Sequence, residues 1–162
     1  MHRSSDSIAS LAAALAKAQM ALSNPEKSLT DILPQFADIT LEHCREALLV
    51  GMAEQRAEVA DIVGSDDAPT FENTVVALER SGRLLSRVSL AFFGTSSSLA
   101  TDAMQALEEE YAPTLTAHGD AVRLDPRLYA LIRAVHDDAA AMAALDPESR
   151  RLVERHLTEM TA

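Results

Sequence analysis

Five histidines, His2, His43, His118, His136 and His156, are the side chains here best suited to ligate a metal or move a proton near neutral pH. No two lie four residues apart. The His-Glu-x-x-His pattern, which sets two imidazoles and a general base on one helix face for zinc-assisted hydrolysis, is therefore missing from these 162 residues. Two smaller groupings remain: Glu42, His43 and Glu46 share a neighbourhood, and His156 precedes Glu159 by three. Each could set a carboxylate beside an imidazole. Acidic helices make such pairs freely on their surfaces, and neither grouping brings enough ligands to hold a metal.

Nucleophile and phosphate chemistry lack their usual frames. Ser81-Gly82 falls inside a predicted helix rather than on a strand-to-helix elbow, and no Gly-x-Ser-x-Gly occurs. The five glycines, Gly51, Gly64, Gly82, Gly94 and Gly119, are too dispersed for a phosphate loop. Arg80, Arg83 and Arg87 recur at three and four, a basic stripe that could take a carboxylate ligand. With Glu72 and Glu79 on the same helix, internal ion pairs are the expected use. Cys44 is the single cysteine, so no disulfide can form within the chain, and it is expected to fill a helix face. No catalytic, cofactor-binding or metal residue is nominated.

The elements that must position these side chains are helical throughout. Asp6 or Ser7 caps a first helix with Ile8, Leu11, Leu15 and Leu22 on one face, ended by Asn24-Pro25. Pro25 to Ile39 reads as an irregular connection. Thr40 caps a second helix whose Leu41, Cys44, Leu48, Met52, Gln55, Val59 and Ile62 alternate at three and four, and Gly64 closes it. Thr70 caps a third helix, with Phe71, Val75, Leu78, Leu85, Val88 and Phe92 on its apolar side and Gly94 with "TSSS" as its stop. From Thr101 a fourth presents Met104, Leu107, Tyr111 and Leu115, bent but not broken by Pro113. Asp125-Pro126 and Asp146-Pro147 open the fifth and sixth. The fold class expected is all-α, an irregular bundle of about six antiparallel helices.

Composition bounds the function. The chain carries 14 Lys plus Arg against 25 Asp plus Glu, a net charge of −11, which repels DNA, RNA and anionic lipid. No apolar run reaches the roughly 18 residues of a membrane span. Asp6, behind Arg3 and ahead of the alanine-rich run Ile8 to Ala16, argues against a secretory leader, so a cytoplasmic protein is expected.

The run "LPQFADITLEHCREALLVGMAEQRAEVADIV" from Leu33, followed by "PTFENTVVALERSGRLLSRV" from Pro69, resembles the N-terminal helical region of the thimet oligopeptidase family of zinc metallopeptidases. Within it the likeness is to the oligopeptidase A and peptidyl-dipeptidase branch. Phe36, Ile39, Glu42 and His43 match a family phrase, and Thr70 to Thr74 match the "T-[FW]-E-N-T" that opens the next helix. The segments "YAPTLTAHGDAVRLDPRLYALI" and "LDPESRRLVERHL" extend the likeness to about Leu157. Residues 1–30 resemble instead the start of ERF-type single-strand annealing proteins.

The resemblance implies two parts, residues 1–30 as a helix of different origin and 31–162 as a peptidase-family helical domain. In the family this region walls a cleft for short peptides, while zinc sits on a His-Glu-x-x-His helix without counterpart here. The expected product is thus a non-catalytic, truncated portion of an oligopeptidase, binding no cofactor itself although the full family uses zinc. The alternative is an interaction module that associates with a separately encoded catalytic part or with a second copy of itself. A single-strand DNA annealing remnant would rest on residues 1–30 alone, which hold too little of such a fold. Neither a nucleic acid nor a membrane is expected as a partner.

Overall fold

The computed structural model describes residues 40–98 and 101–161. The expected first helix, the connection over 25–39, the boundary at residue 30 and the motif residues Phe36 and Ile39 lie outside the described residues. Within them the chain is helical, with no strand, as the all-α expectation requires. Helix α1 spans Leu41–Gly64. A π-helical turn, Phe71–Val76, runs into the short helix α2, Ala77–Arg80. Then come α3 (Arg83–Ser98), α4 (Asp102–Arg123), α5 (Pro126–Asp137), α6 (Ala139–Ala144) and α7 (Pro147–Thr161). No helix among the described residues is long and apolar enough to cross a membrane.

Three local expectations change. The third helix is divided: Ser81 leaves the helical region at ψ 155° and Gly82 takes φ +66°, so Phe71–Arg80 and Arg83–Ser98 are separate. Gly94 does not stop α3, which continues through it to Ser98. Its φ is not positive, and a glycine inside a helix costs only about 1 kcal/mol relative to alanine, too little to end one by itself. A short helix, α6, also stands between the expected fifth and sixth. Asp138 caps it, its carboxylate accepting from Ala140 and Ala141 N–H at 3.0 and 2.9 Å. Pro113 lies within α4 without breaking it, as expected.

The chain forms two compact units. Among the described residues, one holds 40–54 with 83–98 and 101–112, and the other 55–82 with 113–161. In the first unit α1 buries Cys44, Ala47, Leu48 and Met52, α3 buries Val88 and Phe92, and α4 buries Leu107 and Tyr111. A Cβ on Gly51 would lie 2.8 Å from the Leu85 Cα, so the backbones of α1 and α3 meet where only a hydrogen fits. Arg45 joins α1 to α4 through Glu110 at 2.7 Å.

The second unit closes on Val59, Val75, Leu128, Ile132, Val135 and Val153, drawn from α1, the π turn, α5 and α7. Leu128, Ile132, Val75 and Val153 are fully enclosed. The α5–α7 pairing is set by two caps of one design. Asp125 accepts from the N–H of Arg127 at 2.8 Å with Pro126 in the first turn, and Asp146 accepts from Glu148 and Ser149 N–H at 2.9 and 3.0 Å with Pro147 following. The Arg127 guanidinium holds the Asp125 carboxyl below its usual range, and the Ser149 hydroxyl does the same for Asp146.

Thr70 caps the π turn in a reciprocal box. Asn73 N–H donates to Thr70 Oγ1 at 3.1 Å, and Thr70 N–H donates to Asn73 Oδ1 at 2.7 Å. Thr70→Ala and Asn73→Ala are each expected to destabilise the chain by about 1 kcal/mol. Because they break the same box, the double variant should cost less than the sum of the two, read as shifts of the urea midpoint.

Candidate functional site

Every residue from Thr70 to Thr74, the segment that most resembles an enzyme motif, has a structural use. Phe71 packs beside the second unit's core and Val75 is in it. Besides closing the box with Thr70, Asn73 donates from its amide to the Ala68 carbonyl at 2.9 Å, tying the preceding loop down. The Thr74 hydroxyl, buried, donates to Asn73 Oδ1 at 3.0 Å. Glu72 stands in the first turn, where the helix dipole favours an anion.

Ten residues on, the Ser81-Gly82 break is held by two side chains of α1. Gly82 N–H donates to Glu58 Oε2 at 2.7 Å. The Gln55 amide packs so closely that a Cβ on Gly82 would lie 2.4 Å from it. Gln55 Nε2 reaches Ser81 Oγ at 3.4 Å, and the Ser81 hydroxyl donates to the Leu78 carbonyl at 2.8 Å. The other end of Gln55, Oε1, meets His118 Nε2 of α4 at 2.8 Å. Because a carboxamide oxygen only accepts, the His118 proton sits on Nε2, and Nδ1 is left buried without a hydrogen-bond partner. Burial, reinforced by the charge of Arg56, pushes the His118 imidazole below its ordinary value and so disfavours its charged form.

Beside this relay an open pocket of about 320 Å³ is bounded by residues of Gln55–Leu78–Ser81, α4, α5 and α7. Leu78, Val122 and Met160 supply apolar surface, and Glu79, Arg123, His156 and Glu159 supply charge. His156 Nε2 lies 2.8 Å from Glu79 Oε1, and Arg155 joins the same oxygen at 3.5 Å and Glu159 at 3.7 Å. The carboxylate beside His156 is therefore Glu79, 77 residues away in sequence, and not Glu159 as the spacing suggested. The pair orients an imidazole, but the nearby Ser81 hydroxyl is turned to a backbone carbonyl and not toward it. Among the described residues no group of three or more His, Cys, Asp or Glu is placed to hold a metal, so the zinc implied by the family resemblance finds no ligand set there.

The other side chains weighed for chemistry lie apart. His43 caps α1: its N–H donates to Thr40 Oγ1 at 3.2 Å, and its Nδ1 accepts from Thr40 N–H at 3.4 Å. Glu42 pairs with Arg45 at 3.0 Å, while Glu46 has one carboxylate oxygen buried without a partner. His136 meets Asp137 on the surface at 3.1 Å. Cys44 is buried, which pushes its thiol up and keeps it from thiolate chemistry. The break at Gly82 interrupts the arginine stripe, placing Arg80 in the second unit and Arg83 and Arg87 in the first. His2 lies outside the described residues. The Gln55–His118 contact had no signal in spacing, since it spans 63 residues.

The chain is 36% identical over 129 residues to the dipeptidyl carboxypeptidase of Escherichia coli strain K12, covering 80% of this chain and 19% of that protein. To the dipeptidyl carboxypeptidase of Salmonella typhimurium strain LT2 it is 38% identical over 121 residues, 75% of this chain and 18% of the relative. No family model matches the chain. Over this stretch the chain is a homologue of dipeptidyl carboxypeptidases, which are members of the peptidyl-dipeptidase branch of the thimet oligopeptidase family. The chain spans about a fifth of the length of the curated relatives it matches.

Two outcomes test the relay. Gly82→Ala should destabilise the chain by about 2 kcal/mol or more, since it adds a Cβ at positive φ and drives it into Gln55, whereas Gly64→Ala, with nothing within 4 Å, should be close to neutral. His118 has a folded-state value below its unfolded one, so the unfolded chain binds more protons as pH falls. Its contribution is fully present above about pH 6.5 and is lost as pH drops toward the folded value. Between pH 7.5 and 5 the urea midpoint of the natural chain should therefore fall further than that of His118→Gln.

Proposed function

We infer that this chain serves as the non-catalytic helical region of a zinc-dependent peptidase that releases dipeptides from peptide C-termini. The observation that carries the reading is the match itself: identity of 36–38% to two dipeptidyl carboxypeptidases runs over three quarters or more of the chain. These 162 residues contain no His-Glu-x-x-His. In the family the metal lowers the pKa of a bound water and polarises the scissile carbonyl, and those ligands come from sequence outside these residues. What this chain supplies is a packed helical wall. Its polar side chains at Thr40, Thr70, Asn73, Asp125, Asp138 and Asp146 cap helix starts, and its buried apolar faces hold those helices together.

The partner is accordingly the metal-bearing part of such a peptidase, in the same polypeptide or a separate one. A net charge of −11 is no obstacle to a short-peptide substrate but disfavours polyanions. The single cysteine needs no oxidising compartment, which is in keeping with the cytoplasm.

A chimera tests this. The 129-residue matched stretch of the Escherichia coli relative is replaced by the corresponding stretch of this chain. The chimera should release dipeptides with kcat/KM within about tenfold of the parent, a loss of no more than about 1.4 kcal/mol in transition-state stabilisation. The isolated chain should release none, with or without added zinc. Stoichiometric zinc binding with hydrolysis by the isolated chain, or a folded but inactive chimera, would overturn the reading.

A further inference from the structure

Gly119 stands inside α4, four residues short of its end, with a negative φ like any helical residue. A Cβ built there meets nothing within 4 Å. No packing among the described residues therefore asks for glycine, which is the least helix-favouring residue after proline. Gly119 forms part of the wall of the 320 Å³ pocket, beside Leu78, Val122 and Met160. An apolar floor inside a polar rim is the anatomy of a protein–protein contact. At the rim, the ion pairs of Glu79 and Glu159 use Oε1 of each, and both side chains stay about half exposed, 42% and 54%. Each carboxylate has a second oxygen, Oε2, with the capacity to accept from an incoming donor.

The relatives are about five times as long as the stretch they share with this chain, so about four fifths of such a protein lies outside that stretch. We propose that this pocket is the face on which that part packs: the metal-bearing remainder of the peptidase seats an apolar side chain on Leu78, Val122 and Met160, and the bare Gly119 lets its backbone approach α4. The assignment rests on the functional reading above and names the surface through which that reading operates. The absent Cβ is what makes room for the partner's main chain, and the carboxylates of Glu79 and Glu159 take hydrogen bonds from it. A second copy of this chain is the other occupant the pocket admits, and the experiment separates the two.

The test compares Gly119 variants in the isolated chain and in the active chimera. In the isolated chain Gly119→Ala should raise the melting temperature by about 3 °C, because alanine favours the helix, and Gly119→Trp should leave it unchanged or raise it by covering apolar surface. In the chimera both variants should lower it, Gly119→Trp by about 5 °C or more, with loss of dipeptide release as the contact opens. Equal shifts in the two settings would overturn the docking assignment while the chimera's activity leaves the functional reading standing. An inactive chimera would remove both. If sedimentation shows the isolated chain to be a dimer that Gly119→Trp dissociates, the occupant is a second copy and the assignment is wrong.

Discussion

The N–H of Gly82, held by the carboxylate of Glu58 at 2.7 Å, decides how the central third of this chain runs. At that residue one helix ends and another begins, and the chain can turn there only because glycine accepts φ +66° and has no Cβ to meet Gln55. Gln55 and Glu58 are one turn apart on α1, so a single stretch of one helix clamps the break from the side. Through Gln55 the clamp reaches His118 on α4, and through Ser81 it returns to the end of α2. Polar groups that a lone helix would have left to water are thereby joined to three elements of the second unit.

The same economy explains why the sequence looks richer in chemistry than the molecule is. His43 closes a helix cap with Thr40, His118 is buried against the Gln55 carboxamide, and His156 shares Glu79 with Arg155. The threonine, asparagine and aspartates that punctuate the chain accept the N–H groups at helix starts that have no intrahelical partner. The segment that looks most like an enzyme motif is thus accounted for by what it does at a helix start.

How much of this was legible follows from the range of each interaction. Helix existence and inner faces were readable, since Cys44, Leu48, Met52 and Val59 recur at spacings of four, four and seven and are all buried. The caps at Thr70, Asp125 and Asp146 were readable because donor and acceptor lie within three residues. The Gly82 break was missed because the helical period continues across it, and only tertiary partners 24 and 26 residues back reveal that a turn is stabilised there. Gly94 misled in the opposite sense: a residue that can end a helix does so only when the following backbone turns left-handed, and here it does not. Of the pocket, only the His156 end carried a sequence signal, and that signal pointed to the wrong carboxylate.

The central claim is that the enzyme-like segment from Thr70 to Thr74 builds the fold and takes no part in hydrolysis. Its most direct measurement is the split between stability and turnover for Asn73→Ala placed in the dipeptide-releasing chimera, assayed well below the melting transition. The account predicts a lowered melting temperature with kcat and KM both unchanged. A fall in kcat with the melting temperature unmoved would contradict it, and would put Asn73 among the residues that act on substrate.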